Sequence, residues 1–143
     1  MTLSSPDLAV RQALLAALRT DAPLMALVHG VHDGVPVQAA PPYVVLGESL
    51  GSAWGGKTEE GRDLILGLSF YARGTDSVRV AAAVRAAERA LAGLPAAQDG
   101  WQIVSARVTR TRIAGSAELM KAANKGGGWA ALMDVSVRVL AQP

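Results

Sequence analysis

The sequence predicts an α+β fold: one antiparallel four-stranded sheet with helices packed on one face, in the order α-(α)-β-β-α-β-β. Three observations carry this reading. Apolar residues recur at helical spacing over 6–19 and about 76–92. They alternate at strand spacing in four other segments. Two hairpin-like strand pairs flank one long helix, and no repeated βα crossover builds a parallel sheet.

The elements follow in chain order. Ser5 suits an N-cap, Pro6 the first helical position, and Asp7 complements the dipole. Leu8, Leu14, Leu15 and Leu18 then trace an amphipathic helix over 6–19. Asp21-Ala22-Pro23 restarts the chain into a short helical piece, 24–28. The segment from His29 to Pro36 is turn-rich and is expected to be irregular. The first strand follows Pro41-Pro42 through Leu46. A long polar loop, about 51–62, joins it to a second strand at about 63–73, with Leu64, Leu66, Leu68 and Phe70 alternating. Thr75 or Asp76 caps the next helix, whose face is Val80, Val84, Ala87, Leu91 and Leu94, and Gly93 and Pro95 end it. A third strand runs from Trp101 to about Ile113, and a fourth from Trp129 to Leu140. The segment 114–128 between them holds a short helix capped by Ser116, then a flexible return of three glycines.

At 143 residues the chain makes a single domain, 1–143, with long loops at about 51–62 and 114–128. Half the residues are hydrophobic, but alanine supplies much of that and only 4% are aromatic; side chains are small, so the core is expected to be thin unless subunits pack together. No apolar run approaches the ~20 residues needed to span a bilayer, and the N-terminus lacks a basic region followed by an apolar one. Zero cysteines exclude disulfides and thiolate chemistry and fit an intracellular origin. A net charge of +2 does not by itself imply nucleic-acid binding.

Gly51-Ser52-Ala53-Trp54-Gly55-Gly56-Lys57-Thr58 spells a complete G-x-x-x-x-G-K-[ST] phosphate-binding motif. That chemistry needs a helix directly after the loop, whose N-terminal amides hold phosphate. Here Glu59-Glu60-Gly61-Arg62-Asp63 follow, then residues at strand spacing, and two glutamates beside Thr58 repel a triphosphate. Asp134 could serve as the magnesium partner, but it lies mid-strand rather than at a strand end. The motif is therefore expected to be a Gly-rich hairpin loop that binds no nucleotide.

Other constellations are weaker. His29, His32 and Asp33 could ligate a metal, yet they sit among turns with no further histidine or cysteine, and are read as loop residues. No G-x-S-x-G nucleophile elbow occurs. Glu59 and Glu60 look like solvated loop charges. Arg107, Arg110, Arg112 and Arg138 give the last sheet a basic character, with Arg110 and Arg112 on one strand face and Arg107 on the other. With Lys121 and Lys125 they could form a rim for phosphate or for an acidic protein surface. Trp54, in a polar loop, is either an interface anchor or folded back on its own domain.

The stretch Ala22-Pro23-Leu24-Met25-Ala26-Leu27-Val28, then Val31-His32-Asp33-Gly34-Val35-Pro36, then Pro41-Pro42-Tyr43-Val44-Val45-Leu46-Gly47 resembles the start of the tail-completion, or tail-terminator, proteins of tailed phages and gene transfer agents. Their pattern is a short apolar piece, V-x-D-x-x-P, then P-Y-V-x-x-G. Lys57-Thr58, Gly61-Arg62, the strand from Leu64 to Tyr71 and the Ala-rich helix 76–92 continue the likeness. The chain departs from it at 114–128, which is longer and richer in glycine than the usual tight hairpin.

The resemblance implies a structural virion protein rather than an enzyme, with no cofactor. It implies a hexameric ring at the head-proximal end of the tail tube, which ends tube polymerisation and joins the tail to a head-side stopper or connector protein. Its partners are copies of itself, the major tail-tube protein and that connector, and DNA passes through the lumen without sequence recognition. It belongs at the head–tail junction of a virion or virus-like particle assembled in the bacterial cytoplasm, with no membrane partner. The candidate protein contacts are Trp54, Lys57, Glu59, Glu60, Arg62, Glu118, Lys121 and Lys125; the candidate basic channel or rim residues are Arg107, Arg110 and Arg112. The rival functions are a nucleotide-binding enzyme using 51–58 and a small DNA-binding module using the same arginines.

Overall fold

Helix α1 spans Pro6–Arg19, α2 Ala22–Met25 and α3 Val78–Leu91. The computed structural model describes residues 5–74, 77–115 and 128–142. Ser5 Oγ accepts from the Leu8 amide at 3.4 Å, so the N-cap forms as the sequence requires. The buried stripe of α1 is Ala9, Val10, Ala13, Leu14, Leu15 and Leu18, whereas Leu8 faces solvent. Asp21 caps α2 by accepting from the Leu24 amide at 3.0 Å. The face of α3 is Val80, Val84, Ala87 and Leu91, with Ala83 and Ala86. Ser77 holds its N-cap position without a side-chain cap bond; the expected caps, Thr75 and Asp76, lie outside the described residues.

Among the described residues the sheet has six strands, not four. They are β1 Val31–Asp33, β2 Tyr43–Trp54, β3 Gly61–Arg73, β4 Ala97–Gln98, β5 Trp101–Gly115 and β6 Gly128–Ala141, in the spatial order β1-β2-β3-β6-β5-β4. The four long strands are the expected antiparallel set, joined through the β3–β6 pair. The additions are short edges: β1 lies parallel to β2 in the segment expected to be irregular, and β4 pairs only with the start of β5. Three-residue and two-residue strands are too short to show a period.

Half of the expected loop at 51–62 is ladder. Strands β2 and β3 stay in register through Ser52↔Asp63, Ala53↔Arg62 and Trp54↔Gly61, which leaves residues 55–60 as the connection. Gly51 is pressed by Leu64, whose Cδ2 would sit 2.9 Å from an added Cβ, so a glycine here reflects close packing rather than a turn. The expected short helix and glycine return at 116–127 fall outside the described residues.

Both long helices cover one sheet face. Leu64, Leu66, Leu68 and Phe70 of β3 and Met133, Val135, Val137 and Val139 of β6 are all buried beneath them, with Val44 and Leu46 of β2 and Trp101 of β5. Each such aliphatic contributes roughly 1.5–3 kcal/mol through loss of apolar contact with water. No described helix is long and apolar enough to cross a membrane. The other sheet face carries no helix among the described residues, and most of the candidate residues stand on it or at its end.

Candidate functional site

Two bulges in β5 decide where its arginines point. Register shifts fall between Ile103 and Ser105 and between Val108 and Arg110. Each inserts one residue, and one inserted residue moves every later side chain to the opposite face. Arg107 pairs with Ser136, Arg110 with Asp134 and Arg112 with Leu132. Those partners alternate with the buried Met133, Val135 and Val137, so all three arginines stand on the helix-free face. Strict alternation had placed Arg107 on the other side; the bulge at Thr109 corrects that.

Neighbouring groups complete the face. Arg110 pairs with Asp134 at 3.0 Å, and Arg138 holds Asp63 through bonds of 2.6 and 2.9 Å. The hydrogen bonds from Arg138 keep the Asp63 carboxyl below its ordinary range and raise the guanidinium in turn. Arg107 and Arg112 are exposed and form no ion pair or hydrogen bond among the described residues. A shallow hollow of about 200 Å³ lies between Arg110, Arg112, Leu132 and Asp134. Beside the charges stand Leu50, Ile65 and Leu132, 60%, 49% and 49% exposed. Aliphatic side chains this open, next to unpaired arginines, suit a surface that meets another molecule.

At one end of this face, Trp54 is folded back on its own domain. Its Nε1 donates to the Val139 carbonyl at 3.0 Å, and the Arg138 guanidinium lies 4.2 Å from the ring centre. Gly61 makes room: an added Cβ there would lie 2.6 Å from Trp54 Nε1 and 2.7 Å from its carbonyl oxygen. Gly61→Ala is therefore expected to cost about 1–3 kcal/mol through overpacking. It should also dislodge the indole, read as a shift in tryptophan fluorescence together with a lower unfolding midpoint.

Beyond Trp54, the connection exposes Lys57, Glu59 and Glu60. It is anchored where the Ala141 amide donates to the Glu60 carbonyl at 2.8 Å. Arg62 is half-buried at the start of β3. A larger hollow, about 410 Å³, is lined by Thr58, Glu59, Glu60, Gln102 and Leu140, among others. Glu118, Lys121 and Lys125 lie outside the described residues.

The phosphate-loop geometry is not formed: 51–54 belongs to β2, and Thr58 leads into β3, not into a helix. His29 Nδ1 bonds the Ala40 carbonyl at 3.1 Å, His32 meets the Tyr43 ring edge-on, and Asp33 is taken by Arg11. No group of three metal-ligating side chains occurs among the described residues.

Two features escaped the sequence. Arg11 reaches from α1 to Asp33 and to the carbonyls of Leu46 and Gly47, while Arg19 donates twice to the Val31 carbonyl. Val35 and Val37 are 89% and 101% exposed between β1 and β2, although they read as ordinary turn residues.

A family model described as tail completion protein gp17 matches residues 12–122. No curated protein sequence matches the chain. Among solved structures, a chain from the virion of a native gene transfer agent particle has a TM-score of 0.79 at 24% identity, covering 94% of this chain and 97% of that one. At that identity the likeness speaks for the fold.

Proposed function

The chain belongs to the tail completion protein gp17 family and is a structural tail protein of a virion; from that premise we propose that it is the tail terminator. In this reading it forms a hexameric ring on the head-proximal end of the tail tube. The ring ends tube polymerisation and joins the tail to a head-side connector. The observation that carries the reading is the family match over 12–122. The fold it shares with a chain of a gene transfer agent virion supports it.

The surfaces divide the work. The helix-free face, with Arg107, Arg110 and Arg112 aligned by the β5 bulges, lines the lumen. Positive side chains there attract the phosphate backbone without reading bases. The β2–β3 hairpin, braced by Trp54, presents Lys57, Glu59 and Glu60 to a neighbouring subunit or ring, with Arg62 at its base. Glu118, Lys121 and Lys125 are proposed as a second contact. The protein acts by assembly, with no reaction of its own.

The test is the mass of the purified chain in solution, alone and mixed with its tail-tube protein, with ATP as a control. A ring, or a monomer that becomes a ring on tube ends, is expected. A lasting monomer that ignores the tube, or one that binds ATP instead, would sink the reading.

A further inference from the structure

Among the described residues, both outer edges of the sheet are unpaired for much of their length. On one side β4 pairs only with Trp101 and Gln102, and the Ile103 amide donates to the Ala96 carbonyl. Along 104–115 no described strand lies beyond β5. On the other side β1 pairs with Val44, Val45 and Leu46 only. Arg11 takes the Gly47 carbonyl, and along 48–54 no described strand lies beyond β2. At 3.3–3.4 Å per residue these runs expose about 40 Å and about 20 Å of main chain.

An open edge is a template for another strand, and monomeric proteins often blunt it with charged side chains, proline, bulges or a covering element; here β5 carries two bulges and three arginines, and β2 one bulge and Glu48. Neither run contains lysine or proline. Each exposes aliphatic side chains instead: Val104 at 45% and Ile113 at 41% on β5, Leu50 at 60% on β2.

Direction and charge select the occupant. Successive long strands β2, β3, β6 and β5 are antiparallel, so β5 runs opposite to β2. A copy rotated about an axis along the strands brings its β2 beside β5 in antiparallel sense, a head-to-tail contact that can close. The β5 edge carries the unpaired Arg107 and Arg112. The β2 edge and its hairpin carry Glu48, Glu59 and Glu60 against one cation, Lys57, and the three carboxylates are exposed and in no ion pair among the described residues. Opposite charges across paired strands stabilise the pairing, and like charges oppose it.

We propose that the open edge of β5, 104–115, pairs with the open edge of β2, 48–54, of a second copy of this chain, so that the sheets join into one continuous wall. The inference deepens the ring reading and rests on it for closure.

The test is backbone amide exchange on the full chain, assembled and dissociated by dilution, with mass followed by light scattering. Assembly should slow exchange in both runs by about tenfold or more. A variant carrying Arg107→Glu and Arg112→Glu should need several-fold higher concentration to assemble while keeping its circular dichroism. Adding Glu48→Arg should recover much of that loss. Rings whose two runs exchange as fast as in the monomer would overturn this inference and leave the ring reading standing. A chain monomeric both alone and with the tube protein would overturn both.

Discussion

Replacing Phe70 with alanine is expected to lower the unfolding free energy by about 3–5 kcal/mol, among the largest losses a single substitution here can produce. Phe70 is the chain's single phenylalanine and is 1% exposed. It sits on β3, which is paired on both sides, directly between Val44 of β2 and Ala131 of β6. Several of the core residues it shares the cluster with are small: Ala72 and Ala131 on the sheet, and Ala83, Ala86 and Ala87 on α3. Short side chains cannot lean into the space a phenyl ring leaves, so the cavity persists and its contribution adds to the lost transfer energy. Domains of this kind have only about 5–15 kcal/mol in total. A midpoint lower by about 10 °C should follow in thermal circular dichroism. A loss under about 1 kcal/mol would mean that the core does not close around β3 as described.

The same smallness explains what the sequence could reveal. Where apolar residues repeat over a dozen positions, as in α1, α3, β3 and β6, period alone identified the element and its buried side. It failed where the information lies in a partner. β1 and β4 are held by neighbours, not by pattern. The 51–54 half of the ladder hides because Gly51, Ser52 and Ala53 carry no apolar signal, yet Gly51 must be small to lie against Leu64. The β5 bulges are invisible in one chain segment, since an extra residue is defined only against β6. That is why Arg107 was assigned to the wrong face while Arg110 and Arg112 were correctly kept together.

The candidate site shows the same division. That the phosphate-loop motif is followed by a strand was legible from alternation after Asp63. The orientation of Trp54 was not, although one signal was present: Gly61, at the start of the paired strand, is the residue a ring crossing that position requires. Arg11 offered less. It falls on the polar side of α1, and its acceptors lie 22 to 36 residues away.

Arg11→Ala is the second large effect, expected to remove about 1–3 kcal/mol although the residue is polar. One guanidinium joins three elements. Nε donates to Asp33 Oδ1 at 3.1 Å, Nη1 to the Gly47 carbonyl at 2.6 Å and Nη2 to the Leu46 carbonyl at 3.0 Å. The Leu46 carbonyl also accepts from the Gly34 amide at 2.8 Å, whereas the Gly47 carbonyl lies beyond the last β1 pair, at the bulge that interrupts the pairing of β2 with β3. Removing the fork takes the guanidinium donor from the Gly47 carbonyl and the counter-charge from Asp33, while the Leu46 carbonyl keeps the Gly34 amide. Arg11→Lys should recover less than half, because an ammonium is a point donor and cannot span three acceptors in fixed directions. Chemical denaturation of the two variants checks this order; equal stability of wild type and Arg11→Ala would refute it. The bulge that Arg11 holds also sets the start of the open β2 edge, 48–54. Arg11→Ala should therefore weaken assembly at temperatures where the monomer stays folded, whereas Phe70→Ala, buried away from both edges, should lower stability and leave the assembly concentration unchanged.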